Sequence, residues 1–489
     1  MAASAVNALL QTVQRKLATV TAACLFLCLL AACWPPRVVT QSFSESGARL
    51  RFERRFNETC SKYPFVQQYV ENLAAPARRY VIFVFHENGG LNGGLGDRLG
   101  GMVSAVAFAL RTGRTLLISG DKAFDEAFQP YHPDLLLSGG RAQKHKQRRW
   151  SSWDWAGWRR EYAGNLTYLR QCVNPRPTAS ICHLDRDFPQ RVVKYRSNRA
   201  FLCRWVIKPA VYRTSGLARL GITAATDLFE AAGCMLRLAM WPTERLWRAL
   251  DKSLEPQLRQ QQARQGLPAA AAVTTTYQVG FHFRCGDTSF AGGAGKGKKK
   301  NPECFFDPSV PWKGTNFMDD KSLDSPVDAA ACGRKILHGL PAAVQRHAMT
   351  YIASDNPDSS QQINGTMQWP FVVLPPKGCH VDLHASFECT LTTSLHWFML
   401  SLSDQIVMQG LIKPEVGAGS LFEDLPPEDG SPRPTKLLTG AISGFSRFAS
   451  IYSLAADVTR YGLSCEPIDK GALAKQTQGN WLCNPKQLY

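Results

Sequence analysis

The sequence predicts an α/β chain with two parallel-sheet units behind an N-terminal membrane anchor. Three observations predict it. An apolar run from Leu17 to Trp34 follows Arg15 and Lys16 and is stopped by Pro35-Pro36. A strand, a glycine-rich turn, a helix and a second strand succeed one another between Tyr80 and Ile118. The strand pattern then starts again near Tyr277. A chain of 489 residues suits two folded units, because single cores stop growing at about 250–300 residues.

The apolar run is near the roughly 20 residues needed to cross a bilayer. Basic residues before it and a long polar chain after it predict a cytosolic tail over 1–16, a signal anchor over 17–34 and a translocated remainder. A cleaved signal peptide is the competing reading, since Ala31-Ala32-Cys33 has the small residues that precede cleavage. The length of chain before the run favours the anchor. Three sequons follow on the translocated side, at Asn57, Asn165 and Asn364. Of the 15 cysteines, Cys24, Cys28 and Cys33 lie in the apolar run, which leaves 12. An even number fits disulfides in an oxidising lumen. No Cys-x-x-Cys pair points to zinc. The net charge of +18 favours anionic partners. The basic residues are scattered and form no nucleic-acid module, so nucleic acid is not among the expected partners.

Residues 35–75 read as a polar, basic stem without clear periodicity. The first unit, 76–260, opens on Tyr80 to Phe85, a short apolar run of buried-strand type. A glycine-rich turn from Gly89 to Gly101 follows, then helical character over Met102 to Leu110 and a second strand at Thr115 to Ile118. Such a β-loop-α-β unit implies a parallel sheet. Residues 140–160 interleave Trp with Arg and Lys, as a surface segment packing its rings inward or as a stacking platform for sugars or bases. Gln257 to Ala272 is Gln- and Ala-rich and suits a connection between units. The second unit, 273–489, carries strands at Tyr277 to Phe283, Met349 to Ala353 and Asp404 to Met408. Ala291 to Lys300 and Glu415 to Pro434 read as insertions.

Four segments carry candidate chemistry. In the first, Gly93, Gly94 and Gly96 stand between a strand and a helix, where backbone N–H groups can approach a ligand, with Asp97 and Arg98 following. The dinucleotide spacing Gly-x-Gly-x-x-Gly fails, because Leu99 holds the third position. In the second, an apolar strand delivers His282, Arg284 and Asp287 with Gly286 as the turn. Side chains at the carboxyl end of such a strand point into a ligand crevice, and a guanidinium fork there suits phosphate oxygens. In the third, Asp355 stands at the end of a strand, before Asn356 as helix cap and Pro357 as first helical residue. A carboxylate in that place can accept N–H bonds from guanine or bond a ribose. In the fourth, Ser443, Gly444, Phe445 and Ser446 open a helix running to Ala456, and a helix start attracts phosphate. Each has a purely structural alternative: a tight turn, a satisfied core histidine, a helix cap. One Asp-x-Asp match, Asp185-Arg186-Asp187, lacks a strand leading into it.

In this order the segments resemble the fucosyltransferase superfamily of α1,2-, α1,6- and protein O-fucosyltransferases. Gly93 to Leu99 is similar to that family's glycine loop, and His282-Phe283-Arg284-Cys285-Gly286-Asp287 to its His-x-Arg-Arg-Gly-Asp motif. Tyr351 to Asp355 resembles its second motif, and Leu402 to Val407 with Ser443 to Ser446 its third. The resemblance implies a GT-B-like fold, two Rossmann-like domains facing across a cleft, with the acceptor on the first and GDP-fucose on the second. It implies an inverting transfer to a glycan or glycoprotein without metal or cofactor, in the Golgi or ER. Arg284 would then hold the pyrophosphate, His282 and Asp355 would lie by the guanosine, and Ser443 to Ser446 would offer N–H groups to the phosphates. Cys285 departs from the second arginine of the motif, and an insertion between Met408 and Leu437 splits the third. The general base stays open among Asp97, Glu87 and Asp287. Two other functions remain in view: a non-catalytic glycan- or nucleotide-binding protein on the same scaffold, and a membrane-tethered dinucleotide oxidoreductase, against which Leu99 counts.

The topology is testable. Endoglycosidase treatment should increase the electrophoretic mobility of the chain. An unchanged mobility, with a C-terminus open to protease from the cytosolic side, contradicts the anchor orientation.

Overall fold

The computed structural model describes residues 47–75, 79–85, 95–119, 122–132, 166–172, 187–197, 217–223, 226–265, 277–283, 326–354, 357–369, 371–372, 387–409, 444–454, 457–461 and 465. The expected anchor at 17–34 and the Trp-rich stretch at 140–160 lie outside them. Among the described residues no helix is long and apolar enough to cross a membrane. Residues 46–489 form one compact unit.

The fold is mixed α/β with two parallel sheets. Helices α1 (Gly47–Cys60) and α2 (Pro64–Ala74) lead into β1 (Tyr80–Val84), α3 (Leu95–Arg111) and β2 (Thr115–Ser119). A short helix α4 (Lys122–Ala127), the bridge strand β3 (Phe128–Gln129), β4 (Leu166–Cys172) and β5 (Val192–Ser197) follow. The first sheet has the order β2-β1-β5-β4 and is parallel throughout. Next come α5 (Leu228–Ala239), β6 (Trp241–Pro242), which pairs with β3, and α6 (Glu244–Gln265). The second sheet is built from β7 (Tyr277–Phe283), β8 (Ala348–Ser354), β9 (Phe371–Val372), β10 (Gln405–Gln409) and β11 (Asp457–Tyr461). Its helices are α7 (Pro326–Gly339), α8 (Ala342–Gln345), α9 (Pro357–Met367), α10 (Phe387–Ser401) and α11 (Gly444–Ser453).

One apolar cluster runs through both halves. It takes Val81 and Phe83 from β1, Val103 and Phe108 from α3, Leu236 from α5, Trp397 and Phe398 from α10, and Tyr452 from α11. A second cluster lies on the other face of the second sheet, with Val279, Phe281 and Phe283 against Ala330, Leu337 and Ile363. Period-two alternation along β7 sends these three side chains one way and Gln278, Gly280 and His282 the other. Gly280 is required there, because an added Cβ would come within 2.3 Å of Ser403 Oγ and 2.8 Å of Leu400 Cδ1.

Three sequence expectations need correction. The first concerns the stem: residues 47–74 are helical, and Phe52, Phe56, Phe65, Tyr69 and Leu73 are buried in the main core. Cys60 is bonded to Cys234 of α5. Arginines between the aromatic residues of α1 mask the apolar spacing, and they are themselves engaged: Arg51 and Arg55 both bond the Asp404 carboxylate at the start of β10. Next, the Gln257-to-Ala272 connection is helical as far as Gln265, as the continuation of α6. The glycine turn, finally, ends earlier than its composition indicates. Helix α3 begins at Leu95 and places Leu95, Leu99, Met102, Val106 and Leu110 in the core. Gly101 serves helix-to-sheet contact, since a Cβ there would lie 2.0 Å from Ser197 O.

The Asp-x-Asp match also finds its place. Asp187 accepts hydrogen bonds from Arg79 Nη2 at 2.7 Å and Arg114 Nη2 at 3.0 Å. Burial alone would raise its pKa; the bonds from Arg79, the Phe188 N–H and Arg114 outweigh this and hold it below the ordinary carboxylate value. Arg114 also donates to the carbonyls of Phe188, Gln190 and Arg191. This clamp ties the approach to β5 to the start of β2, while Asp185 lies outside the described residues.

A chain starting at residue 47 should therefore fold, and one starting at residue 76 should not. Burial of five large apolar side chains, at about 1.5–3 kcal/mol each, is comparable to the roughly 5–15 kcal/mol net stability of a domain. Soluble yield and the cooperativity of thermal melting measure this. A cooperative melt from the shorter chain contradicts the role assigned to α1 and α2.

Candidate functional site

In chain order, the second sheet runs fifth-fourth-first-second-third: β11-β10-β7-β8-β9, parallel throughout. This is a doubly wound order with the first strand in the middle. The crossover from β7 leads to β8 on one side and that from β10 to β11 on the other, so a crevice opens at the carboxyl ends of β7 and β10, where such sheets bind ligands. Register fixes that edge: His282 pairs with Met408 on one side and Ala353 on the other, and Phe283 with Ser354.

His282 is buried, and its ring stacks on Phe445, with centroids 5.1 Å apart and planes 24° from parallel. Phe445 is the second residue of α11, and the buried Ser446 follows it. Two segments far apart in sequence thus meet at the switch point. The first turn of a helix carries N–H groups without intrahelical acceptors and an effective positive charge of about half a unit. An anion at this edge would meet both.

Of the other expected site residues, Arg284, Asp287, Asp355, Ser443, Gly93, Gly94 and Glu87 lie outside the described residues. Arg284 and Asp355 directly follow Phe283 and Ser354 in the chain, the last residues of two paired strands. Gly96, Asp97 and Arg98 belong to the first turn of α3. Arg98 is buried; its Nη1 donates to Phe85 O at 3.1 Å and its guanidinium lies 5.6 Å from the Phe85 ring, so it clamps the end of β1. Helix α3 packs against α11, which makes the helices of the glycine segment and the Ser-Gly-Phe-Ser segment neighbours. Among the sequons, Asn57 is exposed on α1, Asn364 is half-buried on α9 and Asn165 lies outside the described residues.

Sequence reasoning missed Arg237. It is fully buried on α5. Its Nε donates to Tyr452 O at 2.7 Å and its Nη2 to Ser453 O at 2.8 Å, the last two carbonyls of α11. Nη1 donates to Phe52 O of α1 at 2.8 Å, and the guanidinium lies 3.9 Å from the Phe52 ring. Burial pulls its pKa down to about 9, so it still carries its charge at neutral pH. The available signal was a single charge inside the apolar run Ala231 to Ala239.

No protein-family model and no curated protein matches the sequence. Solved structures to which the chain is similar include a mutant of Arabidopsis thaliana FUT1 in complex with GDP, at 13% identity and a TM-score of 0.39, covering 85% of this chain and 78% of that one. Another is the fucosyltransferase NodZ from Bradyrhizobium, at 14% identity and a TM-score of 0.37, covering 80% of this chain and 99% of that one. A third is NodZ α-1,6-fucosyltransferase soaked with GDP-fucose, at 14% identity and a TM-score of 0.36, with coverage of 80% and 99%.

Phe445→Ala removes the ring that lies on His282 but little of the core, because Phe445 is only partly buried. On the expectation that the crevice takes a nucleoside diphosphate, as the family resemblance implies, the affinity for GDP, read by titration calorimetry, should fall about tenfold, or roughly 1.4 kcal/mol. Wild-type affinity in this variant removes Phe445 from the site.

Proposed function

We propose that the chain is an inverting, metal-independent glycosyltransferase that transfers fucose from GDP-fucose to a glycan or glycoprotein acceptor. In this reading it works in the lumen of the secretory pathway behind a single N-terminal anchor, with the two sheets as the Rossmann-like halves of a GT-B-like fold. The observation that carries the reading is the stacking of His282 on Phe445 at the carboxyl end of the first strand of a doubly wound sheet. It joins two of the segments on which the family resemblance rests.

In the proposed reaction, the bond between the fucose anomeric carbon and the β-phosphate oxygen of GDP breaks. An acceptor hydroxyl bonds that carbon from the opposite face, and its proton passes to a carboxylate. Charge accumulates on the diphosphate leaving group, so fixed positive groups aimed there lower the barrier. Arg284 and the first turn of α11 supply them in this proposal. His282, held by Phe445, and Asp355 border the guanosine. Asp97 on the first turn of α3, Glu87 and Asp287 are the carboxylates offered as base.

The test uses the full chain in detergent, with GDP release from GDP-fucose and acceptor as readout. Arg284→Lys keeps the charge and loses the bidentate fork. It should lower turnover about a hundredfold, or roughly 3 kcal/mol, the scale of one oxyanion contact, and leave the melting temperature near wild type. Excess chelator should leave wild-type turnover unchanged. Activity abolished by chelator and restored by Mn²⁺ contradicts the metal-free mechanism, and wild-type turnover in Arg284→Lys contradicts its role.

A further inference from the structure

We infer that Arg237, a residue of the first half of the chain, positions the nucleotide site of the second half by seating α11 at its far end. The inference rests on the proposed function. Helix α11 has two ends with different tasks. Its first turn carries Phe445 against His282 and the buried Ser446. Its last two carbonyls, those of Tyr452 and Ser453, accept from Arg237. Ten residues of helix span about 15 Å at 1.5 Å per residue, and a helix that short moves as a rigid rod. A displacement at one end is therefore delivered to the other.

The seat is built from several independent contacts. Gly233 stands one turn before Arg237 on α5, and a Cβ there would meet Ile451 O at 2.2 Å, so α5 and α11 touch backbone to backbone. Tyr452 Oη donates to Met240 O, just past the end of α5. Phe52 supplies both a carbonyl and a ring face to the guanidinium. Leu454 takes a left-handed φ of 53° directly after α11, so the chain turns away and leaves the helix-end carbonyls to Arg237. A helix C-terminus carries a partial negative charge, which favours a cation there. The three bonds share one planar group, so Lys, a compact charge with a different reach, cannot reproduce them. Arg237 touches no expected substrate atom, which makes it a positioning residue.

GDP is the probe, and calorimetry on the full chain in detergent is the measurement, taken well below every melting temperature. Arg237→Lys should raise the Kd for GDP about tenfold or more, since displacements on the order of 1 Å at a site cost up to about a hundredfold. Tyr452→Phe, a milder change that keeps the ring and loses one hydrogen bond, should raise it by about threefold. Arg114→Lys is the control: it weakens a buried clamp at the opposite, amino-terminal edge of the first sheet and should lower the melting temperature without changing the Kd. If Arg237→Lys does not fold, Tyr452→Phe against Arg114→Lys carries the same comparison. Wild-type affinity in Arg237→Lys and Tyr452→Phe, or a loss that the control matches at equal melting temperature, overturns the inference. A wild-type chain that binds no GDP removes the proposed function and this inference together. A wild-type chain that binds GDP, with variants that bind it equally, removes this inference alone.

Discussion

A guanidinium sealed in the core governs how the halves of this molecule meet. Arg237 is fully buried, and no carboxylate among the described residues neutralises it. A bare charge in such surroundings would be expelled or would unfold the protein. Here three carbonyls from two helices accept its hydrogen bonds, and the Phe52 ring covers one face. Removing one member of such a buried charged set costs about 3–5 kcal/mol, because the remainder is left desolvated and unpaired. This arrangement forces α1, α5 and α11 into one register. The apolar cluster running from β1 to α11 then closes around it.

The second constraint is the alternation along β7. Phe281 and Phe283 go to the cluster under α7 and α9, and Gly280 and His282 to the side of α10 and α11. A one-residue slip would exchange the two sets and put His282 into an apolar core. Asp404 guards against that slip at the opposite edge. It accepts from the Gln278 N–H at 2.7 Å, while its own N–H donates to Gln278 O at 2.8 Å. Arg51 and Arg55 of α1 bond the same carboxylate, so the segment preceding both sheets also fixes the register of the second.

Glycine acts here through close approach. Gly101 brings α3 onto β5, Gly233 brings α5 onto α11 and Gly280 admits the end of α10. Each shortens a helix contact that a methyl group would hold open. Among the described residues two disulfides add further ties, Cys60–Cys234 between α1 and α5 and Cys332–Cys465 between α7 and the segment beyond β11. Cross-links that close long loops restrict the unfolded chain most.

By itself the sequence determined the local grammar. Short apolar runs gave away β1, β2, β7, β8 and β10, because a parallel strand buried on both faces needs no alternation. Pro357 marked the start of α9, and Ser443 to Ser446 marked the start of α11, since caps and first turns are written within four residues. Tertiary structure alone decided what lies beside what. Helix α1 looks polar in sequence because its arginines are spent on partners hundreds of residues away, such as Asp404. The glycines of α3 read as a loop until β5 is seen against Gly101. Strands β4 and β5 were passed over because Lys194, Arg196 and Arg170 break the apolar pattern that marks the others. His282 and Phe445 were legible as separate candidates, and only the packing of α11 on the second sheet brought their rings together. Arg237 could not be read at all as an anchor for that helix. Hydrogen bonding between side chain and distant backbone leaves no periodic trace, and the carbonyls it needs are present in every residue.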